Sequence, residues 1–67
     1  MRTNILKGKI VSAGYTQRTL APLLNMSENT LSKKVNGQTP FDTDDVVRLC
    51  ELLNIVDNEE KAYIFLQ

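Results

Sequence analysis

Apolar and polar residues along this chain recur with helical spacing, and no stretch alternates with a period of two. Leu6, Ile10 and Ala13 stand at i, i+4 and i+7, with Ile5 and Val11 flanking them. They predict a first helix from Thr3 or Asn4 to Ala13, closed by Gly14 as a left-handed C-terminal cap. Gly8 in its middle weakens it by about 1 kcal/mol relative to alanine, so tertiary packing must hold it together. Thr16 is placed to cap a second helix, Gln17 to about Leu24, whose inner face is Leu20, Ala21 and Leu24. Ser27 opens a third, running to about Asn36, with Leu31 and Val35 turned inward. Glu28, Asn29, Ser32, Lys33 and Asn36 are left on its outer face. Gly37 ends this helix, and Gln38-Thr39-Pro40 reads as a loop.

The strongest start signal lies further on. Asp42 and Asp45 have capping-box spacing, and Phe41 before the cap can staple to Val46 at the fourth helical position. Asp42, Asp44 and Asp45 also suit the positive end of a helix dipole. Val46, Leu49, Cys50 and Leu53 then form an amphipathic stripe, in which Cys50 reads as a buried, inert thiol. Asp57 and Glu60 repeat the box spacing ahead of a last short helix. Ala62-Tyr63-Ile64-Phe65-Leu66, which follows, is apolar all round. One face of it can cover a core; the surplus either folds over that core or meets a second copy of the chain. On the second alternative Tyr63, Ile64, Phe65 and Leu66 form a dimer interface, and removing Ile64–Gln67 is expected to leave a monomer.

The expected fold is therefore all-α: a compact bundle of about five short helices. It makes one domain over residues 1–67, with 56–67 as a candidate dimerisation tail. Pro22 conflicts with the pattern. Inside a helix it removes the bond to the Arg18 carbonyl and clashes there, at about 3 kcal/mol. The second helix is expected to be kinked or shortened, and Pro22→Ala is expected to stabilise the fold.

Composition narrows the function classes. A single cysteine excludes an internal disulfide framework, and with no histidine there is no zinc set. The same lack, together with the absence of a glycine-rich phosphate loop, argues against an enzyme and against any cofactor or small-molecule ligand. Lys7 and Lys9 interrupt the apolar residues near the N-terminus, so neither a signal peptide nor a membrane span is expected and the cytoplasm is the default location. The net charge is zero, but it is divided unevenly. Residues 1–38 carry six basic residues against Glu28, for +5, and residues 39–67 carry two against seven acidic ones, for −5. The basic half contains the second and third helices, as a nucleic-acid partner requires.

Those two helices carry the most specific pattern in the chain. Ala21 is small where two helices must cross closely, Met26 is apolar just after the turn, and Leu31 points back at the second helix. With Thr16-Gln17, Leu20-Ala21, Leu24, Met26-Ser27, Thr30-Leu31-Ser32 and Asn36-Gly37, the segment resembles the lambda-repressor-like helix-turn-helix family of bacterial and phage regulators. Its layout is similar to that of small prophage Cro-type or repressor-type proteins. The resemblance spans roughly residues 3–55, and Thr39-Pro40-Phe41 after the motif extends it. Three residues depart from the family pattern: Asn25 replaces the usual turn glycine, Lys34 fills an often apolar position, and Pro22 stands mid-helix. Asparagine tolerates the left-handed conformation, so the turn survives.

The resemblance implies that the third helix enters the major groove of a double-stranded DNA operator. Glu28, Asn29, Ser32 and Lys33 would then face base edges; Asn29 can pair with adenine, Lys33 with guanine and Glu28 with cytosine. Thr16, Gln17, Arg18, Asn36, Gly37 and Gln38 would meet phosphates, with Arg2, Lys7 and Lys9 adding long-range attraction. A homodimer would read a palindromic operator with half-sites about 34 Å apart. An alternative of another class uses the same fold as a protein-interaction module, such as an antitoxin or a phage protein that binds a host factor.

Overall fold

A computed structural model describes residues 1–66 of the chain. It is all-helical: α1 (Thr3–Ser12), α2 (Gln17–Leu20), a 3-10 turn (Ala21–Leu24), α3 (Glu28–Val35), α4 (Thr43–Leu52) and α5 (Asn58–Phe65). The core is a single cluster to which every α-helix and the 3-10 turn contribute: Leu6 and Ile10, Leu20, Ala21 and Leu24, Leu31 and Val35, Leu49 and Cys50, and Ile64, joined by Leu53 and Ile55. Among the described residues no helix is long and apolar enough to cross a membrane.

Local chemistry explains most of the boundaries. Gly14 and Gly37 take φ of +87° and +80°, and Asn25 takes φ 58°. Thus the chain turns out of α1, out of α3 and into α3 through residues that accept the left-handed region. Ser27 accepts from the Thr30 N–H at 3.1 Å and caps α3. Asp42 and Asp45 close the expected box on α4, with the Asp45 N–H donating to Asp42 Oδ1 at 2.8 Å. A further box, which the spacing did not announce, caps α2: Thr16 and Thr19 each accept the other's backbone N–H, at 3.1 and 2.9 Å.

Pro22 shortens the second helix, as expected, but its place in the turn that follows alters what its replacement should do. The α-helix stops after one turn at Leu20, and the chain continues as a 3-10 turn in which Pro22 occupies one of the first two positions. The Ala21 N–H still bonds the Gln17 carbonyl, and the fixed φ of proline suits the start of the new turn. The ring now restricts the unfolded chain without straining the folded one. Pro22→Ala is therefore expected to lower stability, by about 0.4–1 kcal/mol. Thermal unfolding followed by circular dichroism checks this; a rise in Tm would restore the earlier expectation.

Three further expectations are corrected. Ala13 is exposed rather than packed on the core, because α1 ends at Ser12 and its Leu6–Ile10 face is the one that meets the other helices. Asp57 caps α5 through the Glu59 N–H at 3.3 Å, but Glu60 does not complete a box. Its carboxylate instead takes the Lys9 ammonium at 2.7 Å. Ile64 has no exposed surface and belongs to the chain's own core, so it has nothing to offer a second copy. Removing Ile64–Gln67 would therefore empty the core before it could test an interface (Gln67 lies outside the described residues).

Candidate functional site

α3 presents two chemically distinct faces. Leu31 and Val35 are wholly buried, whereas Glu28, Asn29, Lys33 and Asn36 are exposed and Ser32 is half-buried. Residues four apart fall on one side of a helix, so burying Leu31 and Val35 turns Asn29, Ser32 and Lys33 outward. Among the described residues, the side chains of Glu28, Asn29 and Lys33 make no hydrogen bond or ion pair. A carboxylate, an amide and an ammonium thus share one solvent-facing surface with their donors and acceptors free. Thr30 differs: its hydroxyl accepts from Ser27 Oγ at 2.9 Å and is held at the helix start.

The flanking residues are more committed. Thr16 caps α2 with its hydroxyl, Gln17 is half-buried and Arg18 is exposed. Asn36 Nδ2 donates to the Ser32 carbonyl at 2.8 Å, which folds the amide back along α3. Gly37 is exposed, and a Cβ there would make ordinary contact with Thr3 Cγ2 at 3.6 Å. Its positive φ alone accounts for the glycine, so Gly37 is no evidence for a close phosphate. Gln38 is exposed, and its N–H donates to the Lys33 carbonyl at 2.9 Å, extending the end of α3.

The charge division along the chain is partly cancelled by folding. Lys9 pairs with Glu60 and Lys34 with Asp45, both at 2.7 Å, so each ion pair joins the basic half to the acidic half. Arg2 lies 4.2 Å from the centroid of the Tyr63 ring, and its N–H donates to the Ile64 carbonyl at 2.8 Å. Of the six N-terminal cations, Lys7, Arg18 and Lys33 are the ones without such a partner among the described residues. The reserve of positive charge for long-range attraction is smaller than the sequence suggests.

A second surface feature lies beside α3. A groove of about 740 Å³ begins at Gly37 and runs between the start of α4 and one face of α5. Phe41, Val46, Ala62 and Phe65 line it, with Leu66 at its edge 81% exposed. Of the four proposed interface residues, Tyr63 and Leu66 are exposed, Phe65 is half-buried and Ile64 is interior. Sequence reasoning missed Phe41 and Val46 here, because it spent both on an internal staple. Cys50 lies in the core: burial pushes its thiol pKa up, a shift that Lys61 opposes and Glu60 reinforces.

Residues 3–67 match a family described as a protein of unknown function (DUF739). No curated protein and no solved structure matches the chain.

Proposed function

We propose that this chain, which belongs to the DUF739 family of proteins of unknown function, binds double-stranded DNA sequence-specifically. In this reading it is a cytoplasmic, prophage-type transcriptional regulator related to the lambda-repressor-like helix-turn-helix family. The observation that carries it is the outer face of α3, where Glu28, Asn29 and Lys33 stand exposed, without partners among the described residues, beside the half-buried Ser32. Buried Leu31 and Val35 hold this face outward, and a left-handed Asn25 sets the turn before it. Side chains of this kind on a projecting helix match the donor and acceptor pattern of major-groove base edges. Arg18 and Gln38 supply exposed backbone contacts, and Lys7 adds long-range attraction.

A second copy completes the reading. The groove and the Leu66 knob lie on the same patch, and the rim carries both Asp42 and Lys61. A two-fold axis through such a patch sets knob to groove and cation to anion, as an isologous interface requires. The patch begins at Gly37, just past α3, so the axis falls beyond the C-terminal end of the reading helix. Each body measures 29 × 23 × 21 Å, and two of them side by side suit half-sites about 34 Å apart.

Selection of bound fragments from a random duplex library at physiological salt, followed by sequencing, tests the function. Enrichment of a two-fold-symmetric site supports a dimeric operator binder. An enriched site without symmetry keeps the DNA reading and removes the dimer. No enrichment by folded protein rejects both, and favours the protein-interaction module, for which the apolar groove and the internally spent cations speak.

A further inference from the structure

Lys34 occupies the position where the sequence departs from an apolar family pattern, and the structure gives it a specific task. Among the described residues, its ion pair with Asp45 is the only hydrogen bond or ion pair that joins α3 to α4. Lys34 Nζ donates to Asp45 Oδ2 at 2.7 Å, and the two side chains keep 16% and 14% of their surface. The same Oδ2 accepts from the Asp42 N–H at 3.4 Å, while Asp42 Oδ1 accepts from the Asp45 N–H at 2.8 Å. Lys34 Nζ also lies 6.0 Å from the centroid of the Phe41 ring. One carboxylate thus holds the last turn of α3, the end of the following loop and the first turn of α4.

Lys33 and Lys34 are adjacent cations with opposite fates. Successive helical residues are rotated by about 100°, so Lys33 faces outward, without a partner among the described residues, while Lys34 turns towards α4. Asp45 is itself fixed by its capping box and cannot follow α3 if that helix tilts. A charge-assisted bond largely screened from water therefore resists displacement of the C-terminal turn of α3.

We propose that Lys34 is a positioning residue and not a nucleic-acid contact: with Asp45 it sets the orientation of α3, and so the placement of Lys33 and Asn36. The inference rests on the DNA-binding reading for its functional consequence. It makes a prediction opposite in sign to simple electrostatics. Neutralising Asp45 removes a negative charge and frees a cation, which would tighten DNA binding if charge alone mattered. A lost anchor weakens it instead.

The test compares Lys34→Met, Asp45→Asn and the double variant; asparagine keeps an oxygen to accept the Asp42 N–H. Affinity for the selected duplex is measured over a range of salt, and amide exchange is measured without DNA. The expected result is a loss of about tenfold in both single variants, with no further loss in the double. The dependence of log affinity on log salt stays unchanged in Lys34→Met, where a lost phosphate contact would flatten it by about 0.9. Exchange accelerates at Asn36, Gly37 and Gln38 rather than uniformly. Tighter or unchanged binding by Asp45→Asn, or a flattened slope in Lys34→Met, overturns the proposal. If the unaltered protein binds no duplex, the functional reading fails, and exchange at residues 36–38 alone decides whether the anchor exists.

Discussion

Replacing Asn29 and Ser32 together by alanine is expected to erase the preference for one duplex sequence over another while leaving the fold intact. Neither residue contributes to the core, and Ser32 Oγ meets only a long 3.4 Å contact from Asn36 Nδ2. Surface substitutions of this kind shift stability by about 0.5 kcal/mol or less. Recognition should respond far more. Two polar side chains reading base edges contribute about 2–4 kcal/mol of discrimination, or about 30- to 1000-fold. Affinity for the selected site should fall to that for random duplex, and its salt dependence should persist, because the backbone-contacting Arg18 remains. Competition binding between selected and scrambled duplexes, with circular dichroism on the same samples, provides the measurement. Preference undiminished in the double variant would remove α3 as the reading helix.

The opposite face of the same helix carries the largest expected effect on stability. Leu31 is wholly buried and is enclosed by side chains from the other helices of the single core cluster. Leu31→Ala is expected to cost about 3–5 kcal/mol, the sum of lost transfer energy and a cavity that neighbours cannot fill. A core of this size rarely supplies more than about 3–5 kcal/mol in total. The variant should therefore be substantially unfolded at room temperature, with urea unfolding showing little or no native baseline. Retention of a cooperative transition near that of the unaltered chain would mean that α3 is not clamped by its inner face. The two variants together separate a helix that fails to read from one that fails to fold.

The ordinary part of the interior was legible because its signals are short-range. Leu20, Ala21 and Leu24, Leu31 and Val35, and Leu49, Cys50 and Leu53 follow helical spacing, and all are buried. Asp42, Ser27 and Thr16 cap helices through bonds that span three residues. Asn25 takes the left-handed turn that its amide side chain tolerates. On the outer face of α3, Glu28, Asn29 and Lys33 were legible for the same reason: once Leu31 and Val35 face inward, helical geometry leaves them no other side.

Relations between elements were decided elsewhere. Lys9 and Glu60 lie 51 positions apart, and only the packing of α5 against α1 brings them together. That pairing turned a cation expected to attract DNA into an internal contact, and a carboxylate expected in a capping box into its partner. Ile64 followed the same logic. In an apolar run such as Ala62–Leu66 every residue suits a core, so periodicity cannot choose the buried one; the docking of α5 selects Ile64 and leaves Leu66 outside. Helix positions and caps follow from bonds within a few residues, and these are written in the order of the amino acids. Which charges are cancelled, which apolar side chains are left over and where α3 is anchored depend on contacts distant along the chain, which form when the helices pack.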